Sequence, residues 1–161
     1  MDNTLVLQVI VTGIGATLLM DGWSMCQKKL LRVPPLNYGL VGRWLLWLTR
    51  GKGRHNTILS TPCLKGESFT GWAFHYLTGI LFAAIPLLLQ GSAWLREPLL
   101  LTGVLTGLLT LPAPWLVMQP ALGFGIAASR TPRPWRARVF SLLTHLAYGL
   151  GLYGAALLYA A

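Results

Sequence analysis

The sequence predicts an all-α integral membrane protein with four transmembrane helices, and three observations carry that expectation. Of the 161 residues 54% are hydrophobic and only 11% charged, against the charged fraction of about a quarter with which a soluble domain covers its surface. Mean hydropathy is +0.58. The apolar residues also gather into stretches of about 20, the length at which a helix crosses a hydrocarbon core of about 30 Å. Together these exclude a soluble fold and leave one transmembrane domain over residues 1–161.

The first span covers residues 5–26. It does not read as a secretory signal, because Asp2 stands where a basic leader belongs, the lysines Lys28 and Lys29 follow the apolar run, and no small-residue cleavage pattern comes after it. Pro34 and Pro35 then break the chain, since proline removes a donor and restricts its predecessor. Residues 40–48, Leu-Val-Gly-Arg-Trp-Leu-Leu-Trp-Leu, are apolar but too short to span. With Trp44 and Trp47 three apart and Arg43 and Arg50 near the ends, they predict a short interfacial helix or a re-entrant turn. Residues 51–56, Gly-Lys-Gly-Arg-His-Asn, predict a flexible basic turn. Arg43, Arg54 and His55 are secondary candidates for holding a phosphate or carboxylate, yet the GxxxxGK[ST] arrangement of a P-loop is absent. The turn reads first as solvated and lying beside lipid phosphates.

The second span covers residues 70–90 and the third residues 98–118. In the third, Thr102, Thr106 and Thr110 repeat every four residues beside Gly103 and Gly107, with Pro112 and Pro114 further on. On a helix this makes a narrow stripe of small and hydroxyl side chains followed by a kink. Close helix packing is favoured over a lined path, with the hydroxyls bonded to their own preceding carbonyls. The pairs Gly79 with Ala83 and Gly151 with Ala155 give the same packing signal. Residues 123–135 form a second loop whose small residues admit close backbone packing. Pro132 and Pro134 end any helix there, and Trp135 anchors the fourth span, residues 139–160, at the interface.

Charge placement sets the expected orientation. Of 13 Lys and Arg, eight lie between the first two spans, four between the last two, and only Arg96 in the short middle connection. The positive-inside tendency then puts both basic loops in the cytoplasm and both termini in the periplasm. The formal charge of +9 therefore reads as topology, with anionic headgroups as neighbours and no nucleic-acid partner. Cys26 and Cys63 fall on the reducing side, so no disulfide is expected, and no CxxC spacing suggests zinc.

Asp21, His75 and His145 are the only ionisable side chains inside the spans besides the tyrosines and Cys26. Gln119 closes the third span at a matching depth. One polar side chain from each helix thus falls in roughly the same layer near the cytoplasmic face, and because a charge there is costly Asp21 is expected to point into the bundle, pair with a partner or snorkel to the interface. His75 or His145 is the expected partner, with Lys28 or Arg32 competing nearer to water. His75-Tyr-Leu-Thr-Gly79 and His145-Leu-Ala-Tyr-Gly149 share a pattern, as do Leu18-Leu-Met-Asp21 and Leu116-Val-Met-Gln119. They suggest two parallel helical-hairpin repeats.

Four segments carry a family resemblance: Gly15-Ala-Thr-Leu-Leu-Met-Asp-Gly-Trp-Ser24, Leu36-Asn-Tyr-Gly-Leu-Val-Gly-Arg-Trp44, Arg54-His-Asn-Thr57, and Val117-Met-Gln-Pro-Ala-Leu-Gly-Phe-Gly-Ile-Ala-Ala-Ser-Arg-Thr-Pro132. Over nearly the whole chain they resemble a family of small bacterial inner-membrane proteins catalogued only as a domain of unknown function. The resemblance implies a bacterial cytoplasmic membrane and four spans, and brings no activity, cofactor or catalytic residue.

Three functions compete. The first is a small-solute, ion or proton binding or transport module built on Asp21, His75, Gln119 and His145, assembled as a homodimer or larger oligomer because four helices are few for a complete pathway. The second is a bis-histidine protein in which His75 and His145 ligate a haem or another metal. The third is a scaffold or regulatory partner docking through Trp44 and Trp47. An enzyme is least expected, since there is no GxSxG, no HExxH and no carboxylate pair. No cofactor is the first expectation, with haem or metal the alternative, and an anionic small molecule or lipid headgroup is a possible ligand of the basic loops.

Overall fold

The computed structural model describes residues 3–160, whose regular elements are all helices with no strand among them; Asp2 lies outside the described residues. Among the described residues four helical stretches are long and apolar enough to cross a membrane: Asn3–Leu31, Glu67–Gln90, Leu100–Ala121 and Pro134–Leu158. Large apolar side chains such as Phe69, Leu88 and Leu158 are exposed on them, as lipid-facing positions require. Helix α1 (Asn3–Leu31) runs five residues beyond the expected end at Cys26. Lys28 and Lys29 sustain it because they are good helix formers in the turn where cations meet the negative end of the dipole. Arg32, in left-handed backbone at φ 53°, and the two prolines then stop it.

Helix α2 (Tyr38–Leu48) is the short helix expected over residues 40–48, begun by Asn37, whose side chain accepts from the Gly39 amide at 2.9 Å. A 3₁₀ turn follows at Ile58–Ser60. The second span consists of α3 (Glu67–Phe82) and α4 (Ile85–Gln90), separated by a turn at Ala83 and Ala84. Pro86, in the first turn of α4, suits a helix start because its missing donor has no partner to lose there.

The third span begins as α5 (Leu100–Leu109), turns at Thr110 and Leu111, widens into a π-helical segment at Ala113–Met118 and ends in α6 (Gln119–Ala121). Pro112 and Pro114 are the cause: each deletes an amide donor, and the amide of Gln119 reaches back five residues to the Pro114 carbonyl. Helix α7 (Pro134–Ala160) starts at the second expected proline break.

The described residues gather into two compact units. The first contains the chain to Pro35, Tyr76–Thr110 and the chain from Leu142. Its core joins Ala16, Ala83, Trp94, Leu95, Tyr148, Leu152 and Ala156, and small residues bring its helices to backbone contact. A Cβ added at Gly13 would stand 2.6 Å from Ile80 Cα, and one at Gly151 2.8 Å from Ala16 Cα. Of the three stripe threonines Thr106 makes the expected i−4 bond, donating to the Thr102 carbonyl at 2.8 Å, while Thr110 donates to the Gly107 carbonyl three residues back at 2.7 Å; on α1, Thr17 donates to the Gly13 carbonyl at 2.7 Å. Thr102 turns instead to Gln90 Oε1 at 3.0 Å.

The second unit contains Leu36–His75 and Leu111–Ser141. Val41, Trp44, Ile58, Ala121 and Leu122 form its core. The segment after α2 is pinned to the end of the third span by two backbone bonds of 2.9 Å, His55 N–H to Ala121 O and Ile58 N–H to Leu122 O. Three of the four segments that carry the family resemblance therefore build this unit.

Candidate functional site

The two units hold different polar constellations. In the first, Tyr76 on α3 donates its hydroxyl to Asp21 Oδ2 on α1 at 3.1 Å. The sequence pointed to its neighbour His75 and passed over Tyr76, although the tyrosine stands in the quoted His75–Gly79 string. A phenol suits the position, since it offers one donor to the carboxylate while its ring remains compatible with an apolar surround. Six residues along α1, Gln27 is buried and donates to Thr144 Oγ1 on α7 at 3.4 Å. The next residue, His145, contacts Thr110 Oγ1 through Nδ1 at 2.7 Å. Asp21 and His145 thus belong to the same unit, each with a hydroxyl partner on a neighbouring helix.

His75 and Gln119 belong to the second unit. The His75 ring stacks on Tyr38, centroids 4.1 Å apart at 25°, and meets the edge of Trp72 at 5.8 Å. Gln119 lies where the π-helical segment passes into α6, its Oε1 buried and without a hydrogen-bond partner among the described residues. Among the described residues no group of three or more His, Cys, Asp or Glu side chains gathers where it could hold a metal ion. Cys26 and Cys63 are both free thiols.

Arg43, expected as a possible anion ligand, is 8% exposed and committed inside the second unit. Its Nε donates to Glu67 Oε2 at 2.8 Å and one Nη to Glu67 Oε1 at 2.9 Å, the bidentate geometry of a guanidinium and a carboxylate. The same Nη meets Cys63 Sγ at 2.9 Å, and the other donates to the carbonyls of Ile58 at 3.2 Å and Thr61 at 3.0 Å. All five guanidinium hydrogens are used. The hydrogen-bonded Glu67 carboxylate pushes the Arg43 pKa up against the opposing effect of burial, so the group stays charged. Glu67 lies just before the expected second span, residues 70–90, and is the first residue of α3.

The basic turn is only partly solvated. Lys52 and Arg54 are exposed, but His55 is 6% exposed, because its backbone is paired with Ala121. Its Nδ1 lies 3.0 Å from Thr61 Oγ1, and that hydroxyl lies 3.1 Å from the Thr57 carbonyl oxygen. The hydroxyl has one proton for two acceptors, the Thr57 carbonyl and Nδ1, and the tautomer of the ring follows from which of them takes it. Nε2 is buried without a partner among the described residues.

Burial first, and the nearby Lys52 charge second, hold the His55 pKa below the ordinary 6.5. The unfolded chain therefore binds this proton more readily than the folded one. Its contribution to stability is present above pH 6.5 and is lost as pH falls below that value towards the folded pKa. Thermal unfolding in detergent between about pH 8 and 5 is expected to show a falling midpoint on the acid side, with a shallower fall in His55→Asn. An unchanged slope in that variant would remove His55 as the cause.

No curated protein and no solved structure matches the chain. One family model does, over residues 10–159, and its extent includes Asp21, Tyr76, Thr110 and His145 as well as the Arg43–Glu67 cluster. The chain belongs to the family described as "Protein of unknown function (DUF2938)".

Proposed function

We propose that the protein is a proton-transfer module of a bacterial cytoplasmic membrane, with Asp21 as its exchangeable carboxyl group and Tyr76 as that group's partner. The hydrogen bond between them, 3.1 Å inside two candidate spans, is the observation that carries the reading. An acid retained at such depth is expensive and marks function more often than it does in water. Three buried polar atoms of the same unit support a hydrated route: Thr12 Oγ1, Trp23 Nε1 and Trp94 Nε1 have no hydrogen-bond partner among the described residues. Internal water ordinarily satisfies such groups. His145 is the second titratable group of the route.

In this reading the basic loops face the cytoplasm and the termini the periplasm, as the twelve basic residues of these two loops favour. Two or more copies assemble, since four helices enclose little space. Proteoliposomes carrying a pH gradient and an internal pH dye test it. Wild-type protein is expected to collapse the gradient. Asp21→Asn, which keeps the shape and removes the exchangeable charge, is expected to slow collapse about a hundredfold, at the lower end of what a positioned proton-transfer group contributes. Equal rates with wild type, Asp21→Asn and empty vesicles would contradict it.

A further inference from the structure

We propose that Thr110 is the positioning residue that holds His145 with its proton on Nδ1, so that the ring takes up and releases the transferred proton through Nε2 alone; the transfer itself rests on the reading above. Thr110 Oγ1 makes two contacts of 2.7 Å, one to the Gly107 carbonyl oxygen and one to His145 Nδ1. A carbonyl oxygen can only accept, and two oxygens held 2.7 Å apart with no proton between them repel. The single hydroxyl proton is therefore spent on Gly107. What Oγ1 presents to His145 is a lone pair, and the contact requires Nδ1 to carry a hydrogen. A neutral imidazole has one N–H, so its Nε2 is the basic nitrogen.

The backbone explains why the threonine cannot drift from this role. Thr110 is 2% exposed and its own amide donates to the Thr106 carbonyl at 3.1 Å. One turn earlier Gly107 lies against the His145 carbonyl with no room for a Cβ, and this close passage of α5 by α7 brings the hydroxyl to the ring.

The chemistry that follows is specific. A proton arriving at Nε2 gives an imidazolium with both nitrogens protonated. It must leave from the same nitrogen, because the path from Nδ1 runs through Thr110 into an amide carbonyl, which does not carry a proton onward. His145 is thus a terminal acceptor, unlike a histidine that takes a proton on one nitrogen and passes another from the second. Thr110 touches the ring and not the proton, and its role is to choose the nitrogen.

Full-length protein labelled with ¹⁵N-histidine in lipid bilayers tests this by solid-state NMR at a pH where the ring is neutral. The chain has three histidines, and His55→Gln and His75→Gln assign the signals. Wild-type His145 is expected to show a pyrrole-type Nδ1 and a pyridine-type Nε2. Thr110→Ser, which keeps the hydroxyl, is expected to retain this pattern. Thr110→Val is expected to lose the pyridine-type Nε2 signal as the ring reverts to the Nε2–H form that imidazole prefers in water. A pyrrole-type Nε2 in wild type overturns the proposal without any variant, and so does a Thr110→Val spectrum identical to wild type. Loss of the pattern in Thr110→Ser also counts against it. Wild-type vesicles that pass no protons, with the Nδ1–H pattern intact, would remove the transfer reading and leave the positioning role standing.

Discussion

Glu67→Ala is expected to destabilise the second unit by about 3 kcal/mol, the lower end of the cost of deleting one member of a buried ion pair, because the Arg43 side chain is buried while that of Glu67 is 19% exposed. The guanidinium of Arg43 explains the size of the effect. Two of its five hydrogen bonds end on Glu67, and with the side chain 8% exposed water cannot replace the carboxylate. The remaining contacts, to two carbonyls and a thiol, leave a net positive charge uncompensated. Glu67 also accepts the Leu64 amide at 3.1 Å, so the start of α3 loosens with it. Arg43→Met combined with Glu67→Leu is expected to recover most of the loss, because a pair replaced by apolar groups of similar volume leaves no orphaned charge. Unfolding of the three variants in detergent, followed by circular dichroism, checks both statements; a double variant as unstable as Glu67→Ala would show that the charge is not the cause.

Gly42→Ala is expected to be comparably severe for a steric reason. A Cβ at Gly42 would overlap the Glu67 carbonyl oxygen and stand 2.6 Å from the Gly71 amide nitrogen, and one at Gly71 would overlap the Tyr38 carbonyl oxygen. Helices α2 and α3 touch backbone to backbone here, so neither side has a flexible group to move aside. Overpacking costs about 1–3 kcal/mol where side chains can adjust; with backbone on both sides the upper end or more is expected. Separation of α2 from α3 would part Tyr38 from Trp72, whose ring centroids lie 4.6 Å apart. A lowered unfolding midpoint in Gly42→Ala is the expected result, and a midpoint equal to wild type would contradict it. A mild effect from the neighbouring exposed-site substitution Leu48→Ala provides the contrast.

How far the sequence disclosed this structure depended on whether the cause was local. The four spans were legible because the bilayer imposes its thickness on composition, and each apolar window is visible without knowledge of any partner. The stop at Pro34 and Pro35, the short tryptophan-bearing helix α2 and the distortion at Pro112 and Pro114 were legible for the same reason, as properties of a few adjacent residues. The packing stripe of Thr102, Gly103, Thr106 and Gly107 was legible as a pattern, though not the helix it would meet.

Partners distant in sequence were not legible. Asp21 announced that it needed a donor, but Tyr76 lies 55 residues away, and a tyrosine in an apolar run reads as an ordinary interfacial or core residue. Arg43 looked like a free cation because nothing near it in sequence is acidic; Glu67, 24 residues on, looked like a loop acid. His55 sits between glycines and cations that favour a solvated turn, yet its backbone pairs with Ala121, and the burial follows from that pairing. Thr110 was noticed for its spacing, while the bond to His145 depends on two helices passing each other at Gly107.

The proton-transfer reading stands or falls on whether Asp21 exchanges its proton with the medium in the folded protein. Infrared difference spectroscopy across a pH step, on full-length protein in bilayers, observes this at the group itself. The chain has four acidic residues, so few carboxyl bands compete. A protonated-carboxyl band that rises on acidification, disappears in Asp21→Asn and shifts in frequency in Tyr76→Phe is the expected result. A difference spectrum that is the same in wild type and Asp21→Asn would show that Asp21 does not exchange its proton, and would contradict the account.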